Sequence, residues 1–142
     1  MRPGAACLFA LLALAACAPS LQPPGVKIDA ERLDEDRFVT HDGIELKVKA
    51  WRPRGRPGAV VLALHGFNDY RNFIDESAAS WAGRGIATYA FDQRGFGEAP
   101  EPGIWAGTEP LGRDAGDMAR LLRARDPVLP LFLLIGVLFF RG

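Results

Sequence analysis

Apolar and polar residues alternate on both sides of an Asp-Gly pair at positions 42 and 43. Phe38 and Thr40 belong to the run before the pair, and the run after it places apolar side chains at Ile44, Leu46, Val48 and Ala50. A period of two is typical of half-buried strands, and Asp-Gly between two such runs predicts an antiparallel hairpin. His41 lies beside the turn, and we interpret it as a solvated loop residue rather than a general base, because turns favour exposed polar groups.

The pattern changes after the hairpin. Residues 59–64 are continuously apolar, which is typical of a strand that is buried on both faces of a parallel sheet. Phe73, Ser77 and Trp81 then lie four positions apart on one helical face, and Gly83 follows as a helix stop. Residues 86–91 form a second β-prone run. Strand, helix and strand over about thirty residues predict a βαβ unit.

A second helix and a last strand follow a Pro- and Gly-rich loop at residues 98–110, in which we expect Trp105 to pack on the core. The helix should end near Asp126, and its apolar face is formed by Leu111, Ala115, Met118, Ala119 and Leu122. Residues 131–135 are an apolar run of strand length. This order predicts an α/β domain in which an antiparallel hairpin leads into a mostly parallel sheet with flanking helices.

Length and charge narrow the class of protein. The chain has 142 residues, 49% of them hydrophobic, and its 17 basic and 17 acidic residues give a net charge of zero. This composition fits one small globular domain. The basic residues are scattered, so we expect no nucleic-acid binding. Because no dinucleotide or P-loop glycine pattern occurs, we expect no nucleotide site, and we expect neither a cofactor nor a metal.

The N-terminal residues 1–16 are typical of a secretory signal, with a positive charge at Arg2 and an apolar segment that is too short for a mature spanning helix. The sequence LAAC at positions 14–17 resembles a bacterial lipobox, which implies cleavage before Cys17 and lipidation of its thiol and amine. Cys7 would be lost with the signal, so no intrachain disulfide is expected. The alternatives are a buried N-terminal helix and a chance cysteine.

These features predict three regions in the chain. Residues 1–16 would be the signal peptide, residues 17–36 the lipidated cysteine with its tether, and residues 37–142 the α/β domain. The protein would then be exported and held to a bacterial membrane through its lipid. Ala18 after the cysteine favours the outer membrane, with the domain facing the periplasm.

Polar residues and glycines follow the two central strands, at positions 65–69 and 92–97. Ligands of open α/β sheets bind at such carboxyl ends. The stretches VTHDGIELKVKAWRP, VVLALHGFNDY, IATYAFDQRGFGEA and RDAGDMARLLRA resemble the α/β-hydrolase family, in particular its monoacylglycerol lipase and lysophospholipase branch. The resemblance covers residues 38–134 and implies an incomplete, N-terminal part of that fold. It also implies that the complete protein hydrolyses lipid or small carboxylic esters through a serine.

The resemblance assigns a role to the sequence HGF at positions 65–67. Acyl transfer builds negative charge on the carbonyl oxygen, and backbone N–H groups stabilise that charge. The resemblance implies that the Phe67 N–H is one such donor, that Gly66 permits the sharp turn, and that the Phe67 side chain walls the acyl pocket. It makes His65 structural rather than catalytic, and it makes Asp92 and Arg94 residues that fix the neighbouring loop.

The nucleophile of this family is expected after residues 131–135, in a G-x-S-x-G turn. Gly136 aligns with the first glycine, but Leu138 occupies the nucleophile position and Phe140 the second glycine. The serines of the chain lie upstream, at Ser20, Ser77 and Ser80. The family's acid and histidine follow its nucleophile in chain order, so we expect the chain as written to be inactive.

The agreement with the family stops abruptly after Leu134, which indicates a frameshift or truncation rather than gradual divergence. An incomplete sheet would leave residues 131–135 as an exposed apolar edge that is prone to aggregation. Two alternatives stay open. One is a non-catalytic lipoprotein or binding module, and the other is a membrane anchor at residues 128–140, which fall short of the roughly twenty apolar residues that a spanning helix needs.

Overall fold

The computed structural model describes residues 21–136. Its strands are β1 (Arg32–Leu33), β2 (Arg37–Val39), β3 (Glu45–Trp51), β4 (Ala59–Leu64), β5 (Ile86–Phe91) and β6 (Leu131–Ile135). Its helices are a 3-10 helix (Arg71–Ile74), α1 (Asp75–Ala82) and α2 (Thr108–Arg125). Within the described range, no helix is both long enough and apolar enough to cross a membrane.

The six strands form one mixed sheet in the order β1-β2-β3-β5-β4-β6. The pairs β1–β2, β2–β3 and β3–β5 are antiparallel, whereas β4 pairs in parallel with both β5 and β6. The predicted fold class, an antiparallel hairpin leading into a parallel sheet with helices, is therefore confirmed. So is the βαβ unit, because β4 and β5 are adjacent and are joined through α1.

The predicted hairpin joins β2 to β3, with Phe38 opposite Leu46. Its turn is closed by the side chain of Thr40, whose hydroxyl donates to Asp42 Oδ1 at 2.6 Å and accepts the Ile44 N–H at 3.0 Å. Thr40 is fully buried, so these bonds satisfy a polar group that would otherwise lose its water. The local sequence thus fixes both the turn and the register.

The two faces of the sheet carry separate apolar cores. The larger core lies between the sheet and α2, and its buried members include Leu62, Leu64, Met118 and Leu122. The smaller core lies between the opposite face and α1, and it contains Ala63, Ile74, Ala78 and Ala90. Alternate residues of β4 therefore enter different cores, as the period of a strand requires. The result is a three-layer α/β/α arrangement.

Helix α2 follows the predicted apolar face and ends at the predicted position, with Asp126 as its C-cap. Pro110 lies in its first turn, where a missing N–H costs little. Arg123 and Arg125 lie in its last turn, where positive charge complements the helix dipole.

The N-terminal segment at residues 22–28 lies against the domain. The backbone N–H of Gln22 donates to the Trp105 carbonyl at 3.0 Å, and its side-chain amide donates to the Pro100 carbonyl at 2.9 Å. Further along, the Gly25 N–H donates to Asp42 Oδ2 at 3.0 Å, and the Ile28 N–H donates to the His41 carbonyl at 3.0 Å. The part of the predicted tether that the structure describes is thus hydrogen-bonded to the domain.

Among the described strands, β6 forms one edge of the sheet. Its outer residues Phe132, Leu133, Leu134 and Ile135 are exposed. A wide apolar groove of about 570 Å³ runs between β6 and α2. The predicted aggregation of this edge remains a prediction.

Candidate active site

The carboxyl ends of β4 and β5 are tied together by His65 and Gln93. The His65 side chain is buried, and its Nε2 accepts the Gln93 N–H at 3.0 Å. The amide of Gln93 in turn donates to the His65 carbonyl at 2.7 Å. Because Nε2 accepts, the proton of the neutral ring resides on Nδ1, which lies 2.8 Å from the Gly66 carbonyl. Both ring nitrogens are engaged, so His65 links two loops and is not placed to act as a base.

The loop after β4 turns sharply at residues 66–69. The Asp69 N–H donates to the Gly66 carbonyl at 3.3 Å, and Asn68 adopts a left-handed conformation with φ of 61°. The Phe67 side chain is 62% exposed. Among the hydrogen bonds that residues 21–136 make with one another, none is donated by the Phe67 N–H. The expected oxyanion donor is therefore not used in a hydrogen bond by the described part of the chain.

The loop after β5 is organised around Asp92, which is fully buried. Its carboxylate accepts the N–H groups of Arg71 and Glu98, both at 2.8 Å, and also pairs with the Arg71 guanidinium. Gly97 packs directly on this carboxylate, because a Cβ at that position would lie 2.4 Å from it. Asp92 thus holds the loop after β4 and the loop after β5 in one arrangement.

Arg71 extends this ion-pair network to the surface, since its guanidinium also donates to Glu98 Oε1 at 2.5 Å. Burial lowers the pKa of Arg71, but its bonds to Glu98 and Asp92 outweigh that effect and raise the pKa overall. The same hydrogen bond lowers the pKa of Glu98. Arg71 and Glu98 therefore both stay charged at neutral pH.

Arg94 forms the second buried ion-pair network, which the sequence did not reveal. Its guanidinium bonds Asp114 Oδ2 at 2.6 Å and Oδ1 at 2.9 Å, and it bonds Asp42 Oδ2 at 2.8 Å and Oδ1 at 2.5 Å. The hydrogen bonds from Arg94 hold the pKa of Asp42 well below its usual range. Burial raises the pKa of Asp114, because desolvation exceeds the effect of the ion pair there. The network joins the hairpin turn, the loop after β5 and α2.

His41 lies in the hairpin turn, as predicted, but it is less solvated than the prediction implied. The side chain is only 28% exposed and lies between the hairpin and α2. Its Nε2 is 3.1 Å from an Arg113 nitrogen, and its Nδ1 is 3.5 Å from Asp117 Oδ2. The turn is covered by α2, and a prediction based on the turn alone could not include that helix.

A cleft of about 290 Å³ that is lined in part by Phe67 opens between the loops after β4 and β5. The ring of Phe67 makes an edge contact with Phe96 at a centroid distance of 5.3 Å and a tilted contact with Trp105 at 6.3 Å. Trp105 is 39% exposed, so the prediction that it packs on the core is wrong. It lines the cleft instead, together with Tyr70 and Ile104. The walls of the cleft are therefore mostly apolar.

The end of β6 reaches the loop after β4. The Gly136 N–H donates to the Leu64 carbonyl at 2.7 Å, and a Cβ at Gly136 would lie 3.1 Å from both the Gly66 nitrogen and the Phe73 ring. The first glycine of the expected nucleophile turn thus contacts the expected oxyanion loop. The predicted nucleophile position, Leu138, and the predicted lipidation site, Cys17, lie outside the described residues. Within residues 21–136 no cluster of metal-ligating side chains occurs.

The sequence is similar to those of known proteins. Residues 55–135 match the Hydrolase_4 family, described as serine aminopeptidase, S33. A putative monoglyceride lipase from Schizosaccharomyces pombe is 35% identical over 97 residues, which are 63% of this chain and 25% of that protein. The chain thus spans about a quarter of the length of this relative.

Solved structures show the same fold. A highly thermostable carboxyl esterase from Bacillus coagulans superposes with a TM-score of 0.60 at 20% identity, over 75% of this chain and 36% of that one. A soluble variant of monoglyceride lipase from Saccharomyces cerevisiae gives a TM-score of 0.59 at 21% identity, over 82% of this chain and 39% of that one. This chain thus covers 36% and 39% of the two solved structures, which agrees with the prediction that it contains part of an α/β-hydrolase fold. The chain belongs to the Hydrolase_4 (serine aminopeptidase, S33) family of α/β hydrolases.

Proposed function

We propose that residues 21–136 are the oxyanion-bearing part of a serine hydrolase that acts on carboxylic esters of lipids, of the monoacylglycerol or lysophospholipid kind. One observation carries the proposal. Gly136, at the start of the expected nucleophile turn, packs against the Gly66 nitrogen, next in sequence to the Phe67 N–H, which donates no hydrogen bond to the described residues. A nucleophile held two residues further on would therefore lie close to this donor.

The chemistry assigned to Phe67 is the stabilisation of charge in the transition state. When a nucleophile attacks an ester, the carbonyl oxygen becomes an oxyanion, and one aimed N–H donor contributes about 3–4 kcal/mol. Gly136 makes the close approach of the two loops possible, because it carries no Cβ that would crowd the Gly66 nitrogen, and the apolar cleft beside Phe67 accepts part of a lipid ester. The relatives whose names include monoglyceride lipase support this substrate class.

We also propose that the polypeptide of 142 residues does not catalyse ester hydrolysis by itself. Leu138 has no nucleophilic atom, and the serines of the described range, Ser77 and Ser80, lie on α1. The chain has two histidines, of which His65 links two loops and His41 faces α2. Without a nucleophile and a base, an oxyanion donor has no intermediate to stabilise.

The test uses the purified polypeptide with p-nitrophenyl butyrate and p-nitrophenyl laurate, together with a fluorophosphonate probe for activated serine. We expect no saturable turnover and no covalent labelling. Saturable hydrolysis of either ester, or labelling of Ser77 or Ser80, would show that the chain carries its own nucleophile.

The change of pattern after Leu134 supports the further proposal that the hydrolase reading frame is interrupted there. The encoding DNA tests this proposal when it is read downstream of that codon in all three frames. We expect one frame to show G-x-S-x-G, followed by the acid and the histidine of the family. If no frame does so, a non-catalytic binding module becomes the better proposal, which the intact cleft beside Phe67 favours. Such a module would also show a sharp thermal transition.

The lipobox sequence supports the proposal that Cys17 is lipidated and that the protein is exported to the periplasmic face of an outer membrane. Labelling with a radioactive fatty acid in a bacterial host tests the first part, with Cys17→Ser as the control. We expect label in the original chain and none in the variant. Fractionation of the two membranes tests the location.

A further inference from the structure

Four exposed apolar side chains surround the mouth of the cleft, and we call them the rim: Phe67, Tyr70, Ile104 and Trp105. Three of the four are aromatic, and tyrosine and tryptophan are the residues that membrane interfaces enrich. The rim residues come from two loops that Asp92 and His65 hold in place, so the surface is preformed. A preformed apolar surface of this kind binds with little loss of conformational entropy.

The N-terminal segment connects this rim to the part of the chain that is expected to enter a membrane. Gln22 is fixed to the loop of the rim by its two hydrogen bonds, to the carbonyls of Trp105 and Pro100. Cys17 lies five positions before Gln22. Five residues span at most about 18 Å when fully extended. Any bilayer that holds Cys17, or the apolar residues 5–16 before it, is therefore within reach of the rim.

The charges beside the rim indicate which lipid it meets. Glu98 and Glu101 are exposed in the loop that carries Ile104 and Trp105, and the nearby cation Arg71 is neutralised by Asp92 and Glu98. Among the residues that the structure describes, this surface has no excess of positive charge to attract anionic headgroups. Its affinity must come from apolar and aromatic insertion, which a zwitterionic surface accepts without electrostatic repulsion.

We propose that the rim inserts into the surface of a zwitterionic lipid bilayer, with the N-terminal segment as its tether. The cleft beside Phe67 then opens towards the lipid rather than towards bulk water. The tether rests on the lipidation proposed for Cys17, whereas insertion of the rim concerns binding and orientation only and holds whether or not the protein hydrolyses esters.

The test reconstitutes the full-length chain into phosphatidylcholine vesicles, with and without dibrominated phosphatidylcholine, which quenches tryptophan only within the bilayer. The chain has three tryptophans, of which Trp51 and Trp81 pack against the α1-side core. One variant, Trp51→Phe with Trp81→Phe, keeps Trp105 as the probe, and its matched control, Trp51→Phe with Trp105→Phe, keeps Trp81. A third variant replaces all three tryptophans and carries Phe132→Trp, which reports on β6.

We expect Trp105 to be quenched severalfold more strongly than Trp81 and than the tryptophan introduced by Phe132→Trp. In the otherwise unchanged chain, Trp105→Phe should abolish most of the quenching, which checks the result without multiple substitutions. Equal quenching of the Trp105 and Trp81 probes would overturn the proposal. So would strongest quenching at position 132, because β6 would then be the surface that meets the lipid.

Discussion

Replacement of Arg94 by methionine should remove the charge that holds three elements together, while it keeps most of the apolar stem in place. The Arg94 side chain is 3% exposed and makes four bonds of 2.5 to 2.9 Å to the carboxylates of Asp42 and Asp114. Removal of one partner from a buried ion pair costs about 3–5 kcal/mol, because the remaining charge is left without compensation. Arg94→Met leaves two such carboxylates, so we expect a loss of free energy of unfolding at the upper end of this range.

The assay is urea unfolding at low protein concentration, followed by tryptophan fluorescence at neutral and at acidic pH. In the variant the orphaned carboxylates acquire raised pKa values, so the loss should be full above those values and should shrink as the pH falls and they protonate. Arg32→Met is the control, because that side chain is 57% exposed and its partner Asp34 is 53% exposed, so this surface ion pair should contribute at most about 1 kcal/mol. An Arg94→Met loss no larger than the control's, or one that does not change with pH, would refute the reasoning.

Two further predictions follow from the same structure. Asp42→Asn should reduce the free energy of unfolding at neutral pH. The difference from the original chain should shrink below about pH 4, because the lowered pKa of Asp42 gives stability that is lost on acidification. Urea unfolding between neutral and acidic pH measures this difference, and a difference that stays constant would contradict the prediction. Leu133→Lys, on the exposed edge strand β6, should reduce self-association, measured by light scattering, more than Val128→Lys outside the strand does. Equal effects of the two substitutions would mean that the chain does not self-associate through β6.

The sequence was sufficient for β2 to β6 and for both α-helices because their signals are local, but it did not predict the two-residue strand β1, which lies within the segment expected to be a tether. Alternation around residues 42–43 defines the hairpin, and the continuous run at residues 59–64 defines a strand that is buried on both faces. The resemblance to α/β hydrolases also places Gly66 and Phe67 at the carboxyl edge of the sheet, where the structure has them. Each of these features is encoded either by residues within a few positions of one another or by a short family motif.

The buried ion pairs could not be predicted, because their partners are far apart in the chain. Arg94 pairs with residues 20 and 52 positions away. One weak signal was present, since Asp114 interrupts the apolar face of α2 four positions before Met118 and is fully buried there. A charged residue on a buried helical face requires a partner of opposite charge, but the sequence does not say which one.

The surroundings of Trp105 were misjudged for a similar reason. An aromatic residue in a Pro- and Gly-rich loop is expected to pack on the core, yet here the residue lines a cleft and its carbonyl accepts a bond from Gln22. The position of that loop depends on the buried carboxylate of Asp92 and on the packing of Gly97 against it. Contacts between loops, such as those of Asp92, leave no periodic pattern in the sequence from which they could be predicted.

The most direct test of the central claim joins residues 21–136 to the segment that follows the equivalent strand in the Schizosaccharomyces pombe relative. The chimera should hydrolyse p-nitrophenyl esters. Phe67→Pro, which removes the backbone N–H, should lower kcat about 100- to 1000-fold, whereas Phe67→Ala, which keeps it, should leave kcat close to that of the unchanged chimera. A folded chimera without turnover, or equal effects of the two substitutions, would contradict the claim that these residues carry the oxyanion donor of a serine hydrolase.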